Sequence, residues 1–411
     1  MPKTIFDTNK ITAGHTPTLI ASFLHFDLSF MLWVLLGALG IYITESLRLN
    51  AGQKAMVVAI PILSGSLLRV PLGLLGDRIG GKRVGIAMLV FLFLPLTLGW
   101  QFGDTLPTLL GIGLMLGTAG ASFAVALPLA SRWYPAEKQG LVMGIAAAGN
   151  SGTAITNLLA PRLANHLGWH NVLGLAMIPL AIVLVAFILL ARDCPTQAKG
   201  QPIKHYLRAL KQSDMWWFCL FYSVTFGGYV GLSSFLPLFF RDQYHVTPIT
   251  AGYLTALGAI GGSLVRPLGG WLADKFGGVK MLNVLLALIG LAYLLAAQLP
   301  SLALMSAILV GGMLFLGLGN GAVFQLVPQR FRHEIGVATG VVGALGGLGG
   351  FLLPNVLGQI KQASGSFASG FIILAVVSFA AALLLRTLTA IQAGWKLSWR
   401  MPQAIEALEE A

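Results

Sequence analysis

Apolar runs of about twenty residues follow one another almost without interruption along this chain, and each is long enough to cross a lipid bilayer as a helix. Of the 411 residues, 56% are hydrophobic and only 10% are charged. A soluble chain of this length would carry about 25% charged residues. The sequence therefore predicts an integral membrane protein and excludes a secreted, nuclear or cytosolic enzyme.

The lengths of these runs predict how many helices cross the membrane. A hydrocarbon core of about 30 Å takes about twenty helical residues to cross. By this measure the chain is an all-α membrane protein with twelve transmembrane helices, at 19–41, 53–76, 83–102, 106–131, 140–160, 169–191, 215–239, 250–272, 279–298, 302–328, 336–357 and 368–388.

The charged residues indicate how these helices are oriented. The net charge is +12, but no basic cluster alternates with exposed aromatic residues, so we expect no nucleic-acid partner. If both termini are cytoplasmic, nineteen of the 26 Lys and Arg residues fall on the cytoplasmic side, as the positive-inside rule requires. The two cysteines, Cys194 and Cys219, lie in unlike contexts and indicate neither a disulfide nor a metal site. We expect no metal ion and no cofactor.

An internal repeat divides the chain into two pseudo-symmetric halves of six helices. The twenty residues from Gly65 match the twenty from Gly262 at nine positions without a gap, at an offset of 197 residues. Both halves then have the same orientation, which is the parallel repeat expected of a transporter whose halves rock about a central site. The predicted parts are an N-terminal half at 1–191, a cytoplasmic linker at 192–213, a C-terminal half at 214–388 and a cytoplasmic tail at 389–411. For the tail, an interfacial helix and a frayed end are both open.

Two arginines occupy matching positions inside the predicted helices. Arg69 and Arg266 each precede an aspartate by eight residues, which places them about 12 Å inside the boundary, near the bilayer midplane. An arginine at this depth costs about 2.5–3.5 kcal/mol on insertion scales. Asp27, the one carboxylate that we assign to a span, lies near the cytoplasmic end of the first helix and cannot neutralise both. The pair therefore predicts an anion-binding site, with arginines that snorkel or bind helix-end carbonyls as the alternative.

Two guanidinium groups favour a particular class of anion. A guanidinium group is planar and binds a planar oxyanion through two parallel hydrogen bonds, whereas lysine offers only a point charge. Lactate or a phosphate ester would need further polar groups at this depth, and the sequence supplies few of them near the two arginines. We therefore expect a small, flat anion.

The turns that follow these arginines carry a repeated pattern. G-D-R-I-G-G-K-R at 76–83 and A-D-K-F-G-G-V-K at 273–280 each join an acidic residue at a helix end to basic residues and two glycines. Here the chain resembles the major facilitator superfamily, and the resemblance implies that Asp77 and Asp274 hold the two halves closed on one side. Glu137 and Glu334, which the same offset pairs, are further gating candidates. A solvated turn that only orients the helices is the alternative.

Further segments are similar to one family of that superfamily, the nitrate/nitrite porters. The segments are G-A-S-F at 120–123, R-W-Y-P-A-E-K-Q-G at 132–140, A-A-G-N-S-G-T-A at 147–154, F-Y-S-V-T-F-G at 221–227, G-N-G-A-V-F-Q at 319–325 and G-A-L-G-G-L-G-G-F-L-L-P at 343–354. The resemblance implies a nitrate site in which the two arginines clamp the anion and Phe123 stacks on it. Asn150, Tyr222 and Phe226 would close around it.

The same resemblance marks four signature glycines, Gly149, Gly152, Gly346 and Gly349. Small residues at this spacing let membrane helices approach closely. We expect close packing of the fifth and eleventh helices first, and sliding of these helices during rocking as their functional contribution.

His25 and Asp27 are the remaining ionisable residues within a predicted span. Such groups form proton relays in transporters, and this segment resembles the proton-coupled branch of the family. The alternative is that both residues lie at a wet cytoplasmic mouth and have a structural role.

These features together predict a secondary active transporter of nitrate and nitrite that works by alternating access in a prokaryotic plasma membrane, as a monomer. Nitrate/proton symport for uptake is the first hypothesis, and nitrate/nitrite exchange is the second. A nitrate sensor with a transporter fold would need a signalling domain or a long partner-binding tail, and we expect neither. An enzyme is not expected, because no nucleophile has a base beside it.

Overall fold

A computed structural model describes residues 14–134, 142, 143, 145–195, 210–331, 335–392 and 394–396. The described residues form twelve long helical segments, some of them interrupted, which we number in chain order. They are α1 (Thr16–Trp33, Leu35–Ala38 and Gly40–Leu47), α2 (Ala51–Ile79), α3 (Gly81–Phe102), α4 (Leu106–Leu116, Gly117–Ser122 and Phe123–Ser131), α5 (Ala148–Ser151 and Gly152–Leu167), α6 (Trp169–Leu175 and Met177–Leu190), α7 (Ser213–Tyr244), α8 (Pro248–Leu264 and Arg266–Phe276), α9 (Gly278–Ala296), α10 (Leu302–Arg330), α11 (Ile335–Ser364) and α12 (Ala368–Ile391).

These helices confirm the predicted all-α membrane class. Within the described ranges, nine helices are long and apolar enough to cross a membrane, and the two parts of α8, bent by 40°, are a tenth if they count as one span. Among the described residues, α1 and α5, each divided by breaks, are not among these helices. Each of the twelve predicted spans overlaps one helical segment, although α5 ends at Leu167, beyond the predicted end at 160. The number of membrane crossings, twelve, stays a prediction.

Several interruptions have a clear local cause. In α4 and α5 the chain tightens into 3-10 turns at Gly117–Ser122 and Ala148–Ser151, where glycine and serine lower the preference for an α-helix. In α8 the break falls at Val265, directly before Arg266 and Pro267. Proline has no N–H to continue the hydrogen-bond ladder, so the helix restarts there in a new direction.

The internal repeat is visible in the turns that close α2 and α8. Gly80 ends α2 with a φ of 99°, and Gly277 ends α8 with a φ of 95°. Residues with a side chain rarely adopt this conformation, so both turns depend on glycine. The two glycines are 197 residues apart, which is the offset of the sequence repeat.

The outer surface of the helix bundle is apolar, as lipid contact requires. On α6, Ile182 and Leu189 are 64% and 70% exposed, and on α12, Val376 and Leu383 are 61% and 68% exposed. Large apolar surfaces of this kind are rare on soluble proteins. These helices therefore present their side chains to lipid.

Ion pairs join the first six helices to the last six at one end of the molecule. Lys54 of α2 pairs with Asp242 of α7 at 3.0 Å, and Arg241 of α7 pairs with Glu45 of α1 at 2.8 Å. The backbone N–H of Gly52 donates to the side chain of Gln362 on α11 at 2.8 Å. The end that holds the α1–α2, α7–α8 and α11–α12 connections is therefore closed.

The first residues of the predicted tail are docked. Trp395 is 1% exposed, and its indole Nε1 donates to Asp214 at the start of α7 at 2.9 Å. Arg330 of α10 also pairs with Asp214 at 2.9 Å, and its guanidinium carbon lies 5.0 Å from the centre of the Trp395 ring. Trp395 is thus neither frayed nor at the lipid interface, because the Asp214 carboxylate and the ring of Phe218 hold its side chain inside the protein.

Candidate anion-binding site

The two arginines singled out in the sequence are both buried. Arg69 of α2 is 0% exposed, and Arg266, at the bend of α8, is 8% exposed. Within the described part of the chain, neither has a carboxylate within ion-pair distance. A buried charge without a counterion is unfavourable, so each side chain must be stabilised by other contacts or by a ligand.

Backbone carbonyls from both sides of the bundle hold Arg69. Its Nε donates to the carbonyl of Gly120, in the 3-10 turn of α4, at 3.0 Å. Its Nη1 donates to the carbonyl of Gly343 on α11. Its Nη2 is buried and has no hydrogen-bond partner among the residues that the structure describes. Two of the guanidinium nitrogens thus fix the group, and the third keeps free N–H donors.

Aromatic rings surround the same guanidinium group. Its carbon lies 4.8 Å from the ring centre of Phe226, 5.1 Å from that of Phe123 and 5.4 Å from that of Trp33. Contacts of a cation with a ring face contribute about 0.5–2 kcal/mol each when water is excluded. The rings therefore offset part of the cost of burying the charge without neutralising it.

Arg266 has fewer contacts than Arg69. Its Nη2 donates to the hydroxyl of Tyr222 at 3.1 Å, and its guanidinium carbon lies 5.7 Å from the ring centre of Phe324. Its Nη1 is buried without a partner. The Tyr222 ring stacks on Phe226, with ring centres 4.9 Å apart and an angle of 5° between the planes. Arg69, Phe226, Tyr222 and Arg266 thus form one continuous set of contacts.

This arrangement can bind a small anion. One nitrogen on each arginine has N–H donors without a partner, the two positive charges have no counterion among the described residues, and flat aromatic faces surround them. A flat anion with delocalised charge can accept hydrogen bonds at its edge while its faces contact rings. The geometry therefore fits the small oxyanion expected from the sequence.

Asn150 lies in the 3-10 turn of α5. Its side chain is 1% exposed, and its Oδ1 has no hydrogen-bond partner. Ser263, three residues before Arg266, donates from its hydroxyl to the carbonyl of Ala148 in the same turn at 3.4 Å. The turn of α5 is thereby held against α8 close to Arg266, and the Asn150 amide is free to bind a ligand.

His25 is buried, and both of its ring nitrogens have hydrogen-bond partners in this conformation; its role in proton coupling stays a prediction. It is 0% exposed, its Nδ1 lies 2.7 Å from the hydroxyl of Ser122, and its Nε2 lies 3.2 Å from the carbonyl of Gly85. Because a carbonyl only accepts, Nε2 carries the proton, and Nδ1 can accept from Ser122 while the ring is neutral. The expectation that His25 lies at a wet mouth is wrong, because α3 and α4 cover its ring.

Asp27 is tied to the turn that carries Asn150. It is partly buried, and it accepts a hydrogen bond from the hydroxyl of Ser151 at 2.7 Å. Asp27 therefore connects α1 with α5 and is not an ion-pair partner of either arginine. A change in its protonation would act directly on the 3-10 turn.

The predicted gating carboxylates have partners on their own side of the bundle. Asp77 pairs with Arg132 at the end of α4, and Asp274 accepts from the side chain of Gln325 on α10 at 2.8 Å. Neither of these contacts joins the first six helices to the last six. Glu137 and Glu334 lie outside the described residues. The gating role of these four residues stays a prediction.

The four signature glycines lie where helices touch. A β-carbon at Gly152 would overlap the carbonyl oxygen of Asp27, and one at Gly149 would lie 2.9 Å from the nitrogen of Asp27. On α11, a β-carbon at Gly346 would overlap the Tyr222 ring, and one at Gly349 would overlap the carbonyl of Ser223. The glycines thus bring α5 onto α1 and α11 onto α7, close to the candidate site.

Sequence analysis missed two aromatic residues of the site, Trp33 and Phe324. The indole N–H of Trp33 donates to the carbonyl of Pro61 at 2.7 Å, which fixes the ring beside Arg69. The Phe324 ring lies 5.6 Å from Phe123 and 4.8 Å from Tyr222. An isolated aromatic residue in a membrane helix usually packs or faces lipid, so its residue type alone gives no signal of a site.

Two pairs of aromatic residues, each four residues apart and one in each half of the repeat, gave a weaker sequence signal of the site. Phe26 and Phe30 of α1 pair at 4.5 Å, as Tyr222 and Phe226 of α7 pair at 4.9 Å. The two pairs are 196 residues apart, close to the offset of the repeat. The same spacing in both halves could have marked Phe26 and Phe30 as residues that line the site.

Known proteins are similar to this chain over most of its length. The family profile described as Major Facilitator Superfamily matches residues 21–354. The protein named nitrite extrusion protein from Bacillus subtilis is 36% identical over 357 residues, which cover 86% of this chain and 90% of that protein. The probable nitrate transporter NarT from Staphylococcus haemolyticus is 32% identical over 84% of this chain and 90% of its own length. The probable nitrate/nitrite antiporter NarK1 from Thermus thermophilus is 32% identical, with 87% and 88% covered.

Proposed function

Since the chain belongs to the nitrate/nitrite porters of the major facilitator superfamily, we propose that it carries nitrate and nitrite across a prokaryotic plasma membrane by alternating access. It is a transporter and not an enzyme, as the sequence predicted. In this proposal the protein works as a monomer, with both termini and the 192–213 linker in the cytoplasm.

One observation carries the proposal: two buried guanidinium groups, from α2 and α8, each keep a nitrogen without a partner and lack a carboxylate among the described residues. Nitrate and nitrite are small, planar and singly charged, so either can bridge the two groups. A larger anion would have to displace the rings of Phe123, Phe226 and Phe324, which lie within 6 Å of the guanidinium carbons.

The end closed by ion pairs would be the extracellular end. The positive-inside rule places the α1–α2, α7–α8 and α11–α12 connections outside the cell. The pairs Lys54–Asp242 and Glu45–Arg241 line a cavity of about 390 Å³ at this end, together with His245 and Lys361. Each pair must separate when the outer side opens, so both would stabilise the conformation described here.

Neutralising these pairs is expected to favour the outward-open conformation. Asp242→Asn should lower the apparent KM for external nitrate and also slow return of the carrier, by up to about fivefold, because a partly exposed ion pair contributes about 0.2–1 kcal/mol. Glu45→Gln should act more weakly, since its pair is 36% and 54% exposed against 21% and 22% for Lys54 and Asp242. Initial rates of labelled nitrate uptake into right-side-out vesicles measure both effects.

A matched control exists in the first six helices. Asp104 pairs with His170 at 3.1 Å, and both residues belong to the same half of the predicted repeat. Asp104→Asn should leave the KM unchanged. An equal effect of Asp104→Asn and Asp242→Asn would contradict a gate between the two halves.

Nitrate/proton symport for uptake is the coupling that we propose first, with Asp27 as the proton carrier. Asp27 is the carboxylate joined to the turn of Asn150, so its protonation would be transmitted to the anion site. Nitrate/nitrite exchange has support from another observation. Both ring nitrogens of His25 are already bonded in its neutral form. Two positive charges with no counterion among the described residues would oppose the conformational change while the site is empty.

Proteoliposomes separate the two modes. For symport, an acidic exterior should drive labelled nitrate into liposomes that contain no nitrite, and Asp27→Asn should remove this pH-driven uptake. Liposomes loaded with nitrite at equal pH on both sides serve as the control for exchange. If nitrate uptake requires internal nitrite and does not change with the pH gradient, the symport proposal is wrong and exchange is the mechanism.

A further inference from the structure

Helix α10 carries a buried amide that the site described above does not use. Asn320 is 1% exposed, and its Oδ1 has no hydrogen-bond partner. The structure assigns no hydrogen bond to its amide nitrogen within the described ranges either. Buried amides are almost always hydrogen-bonded in proteins, so one without a partner needs an explanation.

Asn320 lies on the face of α10 that contributes to the anion site. It precedes Phe324 by four residues, and side chains four apart share one face of a helix. The Phe324 ring lies 5.7 Å from the guanidinium carbon of Arg266 and 4.8 Å from the Tyr222 ring. The Asn320 side chain is therefore one helical turn away from a ring of the site.

The glycines on either side of Asn320 pack α10 tightly against its neighbours. A β-carbon at Gly321 would overlap the carbonyl oxygen of Arg266, and one at Gly319 would lie 2.7 Å from the side chain of Thr225 on α7. The backbone of α10 thus contacts both α7 and α8 at this level. Asn320 lies between these two glycines in the chain, at the level where α10 meets α7 and the backbone of Arg266.

The internal repeat gives Asn320 a counterpart in the first half. An offset of 197 residues relates Asn320 to Phe123, whose ring centre lies 5.1 Å from the guanidinium carbon of Arg69. The position that carries a ring next to Arg69 in the first half thus carries an amide in the second half. This difference makes the site asymmetric, with the additional polar group on the side of Arg266.

We propose that Asn320 donates a hydrogen bond to the third oxygen of a trigonal oxyanion and thereby favours nitrate over nitrite. Rotating the side-chain amide by half a turn exchanges its oxygen and its nitrogen, so Asn320 can direct an N–H donor to the site. The two guanidinium groups can be satisfied by two oxygens, which both anions possess. A further donor at Asn320 reaches the third oxygen of nitrate, whereas nitrite offers at that place only the lone pair of its nitrogen, which lies one N–O bond farther away. A site with a buried donor discriminates against the analogue whose acceptor does not reach it.

The proposal rests on the proposed function and is tested by binding to the purified full-length protein. Isothermal titration of nitrate and of nitrite gives the two dissociation constants for wild type and for Asn320→Ala. We expect the Kd for nitrate to rise about tenfold, the size of one lost hydrogen bond, while the Kd for nitrite changes less than about twofold. The ratio of the two constants is a readout that a purely structural role would not change.

Asn355→Ala is the matched control. Asn355 lies on α11, and its amide nitrogen donates to the carbonyl of Phe351 at 2.8 Å, so its side chain is already satisfied. Both dissociation constants should match those of wild type. If Asn320→Ala does not give folded protein, Asn320→Asp keeps the shape of the side chain. Its carboxylate beside Arg266 should abolish binding of both anions.

The outcomes separate this proposal from the proposed function. Equal changes for nitrate and nitrite in Asn320→Ala, no change in either, or wild-type binding by Asn320→Asp would overturn the role of Asn320 and leave the transport function intact. If the wild-type protein binds neither anion, the proposed function fails as well.

Discussion

Arg69→Lys and Arg266→Lys are each expected to reduce nitrate uptake by at least about 100-fold, because lysine keeps the charge but loses charge-assisted hydrogen bonds that contribute about 1.5–3 kcal/mol each. In Arg69→Lys the single amine cannot replace the bonds to Gly120 and Gly343 and also bind an anion. In Arg266→Lys the amine cannot bind Tyr222 and the anion in the same geometry. Uptake of labelled nitrate into proteoliposomes measures the loss.

A control shows whether the effect is specific to the site. Arg162 of α5 has partners outside the candidate site: its Nη1 donates to the carbonyl of Leu158, and its guanidinium carbon lies 4.4 Å from the centre of the Tyr253 ring. Arg162→Lys should retain uptake. Gel filtration and thermal unfolding of all three variants should match wild type. Normal uptake by either Arg69→Lys or Arg266→Lys would refute the paired clamp.

Gly349→Ala is also expected to have a large effect: it should lower both the stability of the protein and the rate of nitrate uptake. Its β-carbon would overlap the carbonyl oxygen of Ser223, which is backbone and cannot move aside as a side chain does. Overfilling a packed contact of this kind costs about 1–3 kcal/mol. Helix α11 would be pushed away from α7 and would carry Gly343 away from Arg69. Thermal unfolding and uptake measure the two consequences.

Gly340→Ala is the matched control on the same helix. A β-carbon at Gly340 would meet no atom within 4 Å. Since alanine favours the helix more than glycine does, Gly340→Ala should be at least as stable as wild type and should transport normally. Equal losses from Gly340→Ala and Gly349→Ala would show that α11 does not depend on the close contact with α7.

The sequence was sufficient to predict the helices and the paired arginines. Apolar runs of about twenty residues correspond one for one to the helical segments, because lipid demands that length of every span. The repeat located Arg69 and Arg266 at matching positions. Their burial, with no carboxylate of the described residues beside them, followed from the scarcity of acidic residues in the spans. The helix lengths and the special status of the two arginines both follow from the low polarity of the bilayer, and neither requires knowledge of how the helices pack.

Contacts between distant segments could not be predicted. Lys54 and Asp242 are 188 residues apart, and nothing in either local sequence indicates the other as its partner. The bond from Arg69 to Gly343 involves a backbone carbonyl, which every residue possesses. The partners of His25, the hydroxyl of Ser122 and the carbonyl of Gly85, also come from distant segments and could not be predicted from the sequence around His25.

Equilibrium binding of labelled nitrate to the purified protein tests the central claim most directly, since it detects the anion site without requiring a complete transport cycle. One nitrate should bind per wild-type chain, and binding should be lost in Arg69→Lys and in Arg266→Lys while Arg162→Lys binds normally. Wild-type affinity in either lysine variant would contradict the claim that the anion lies between the two guanidinium groups.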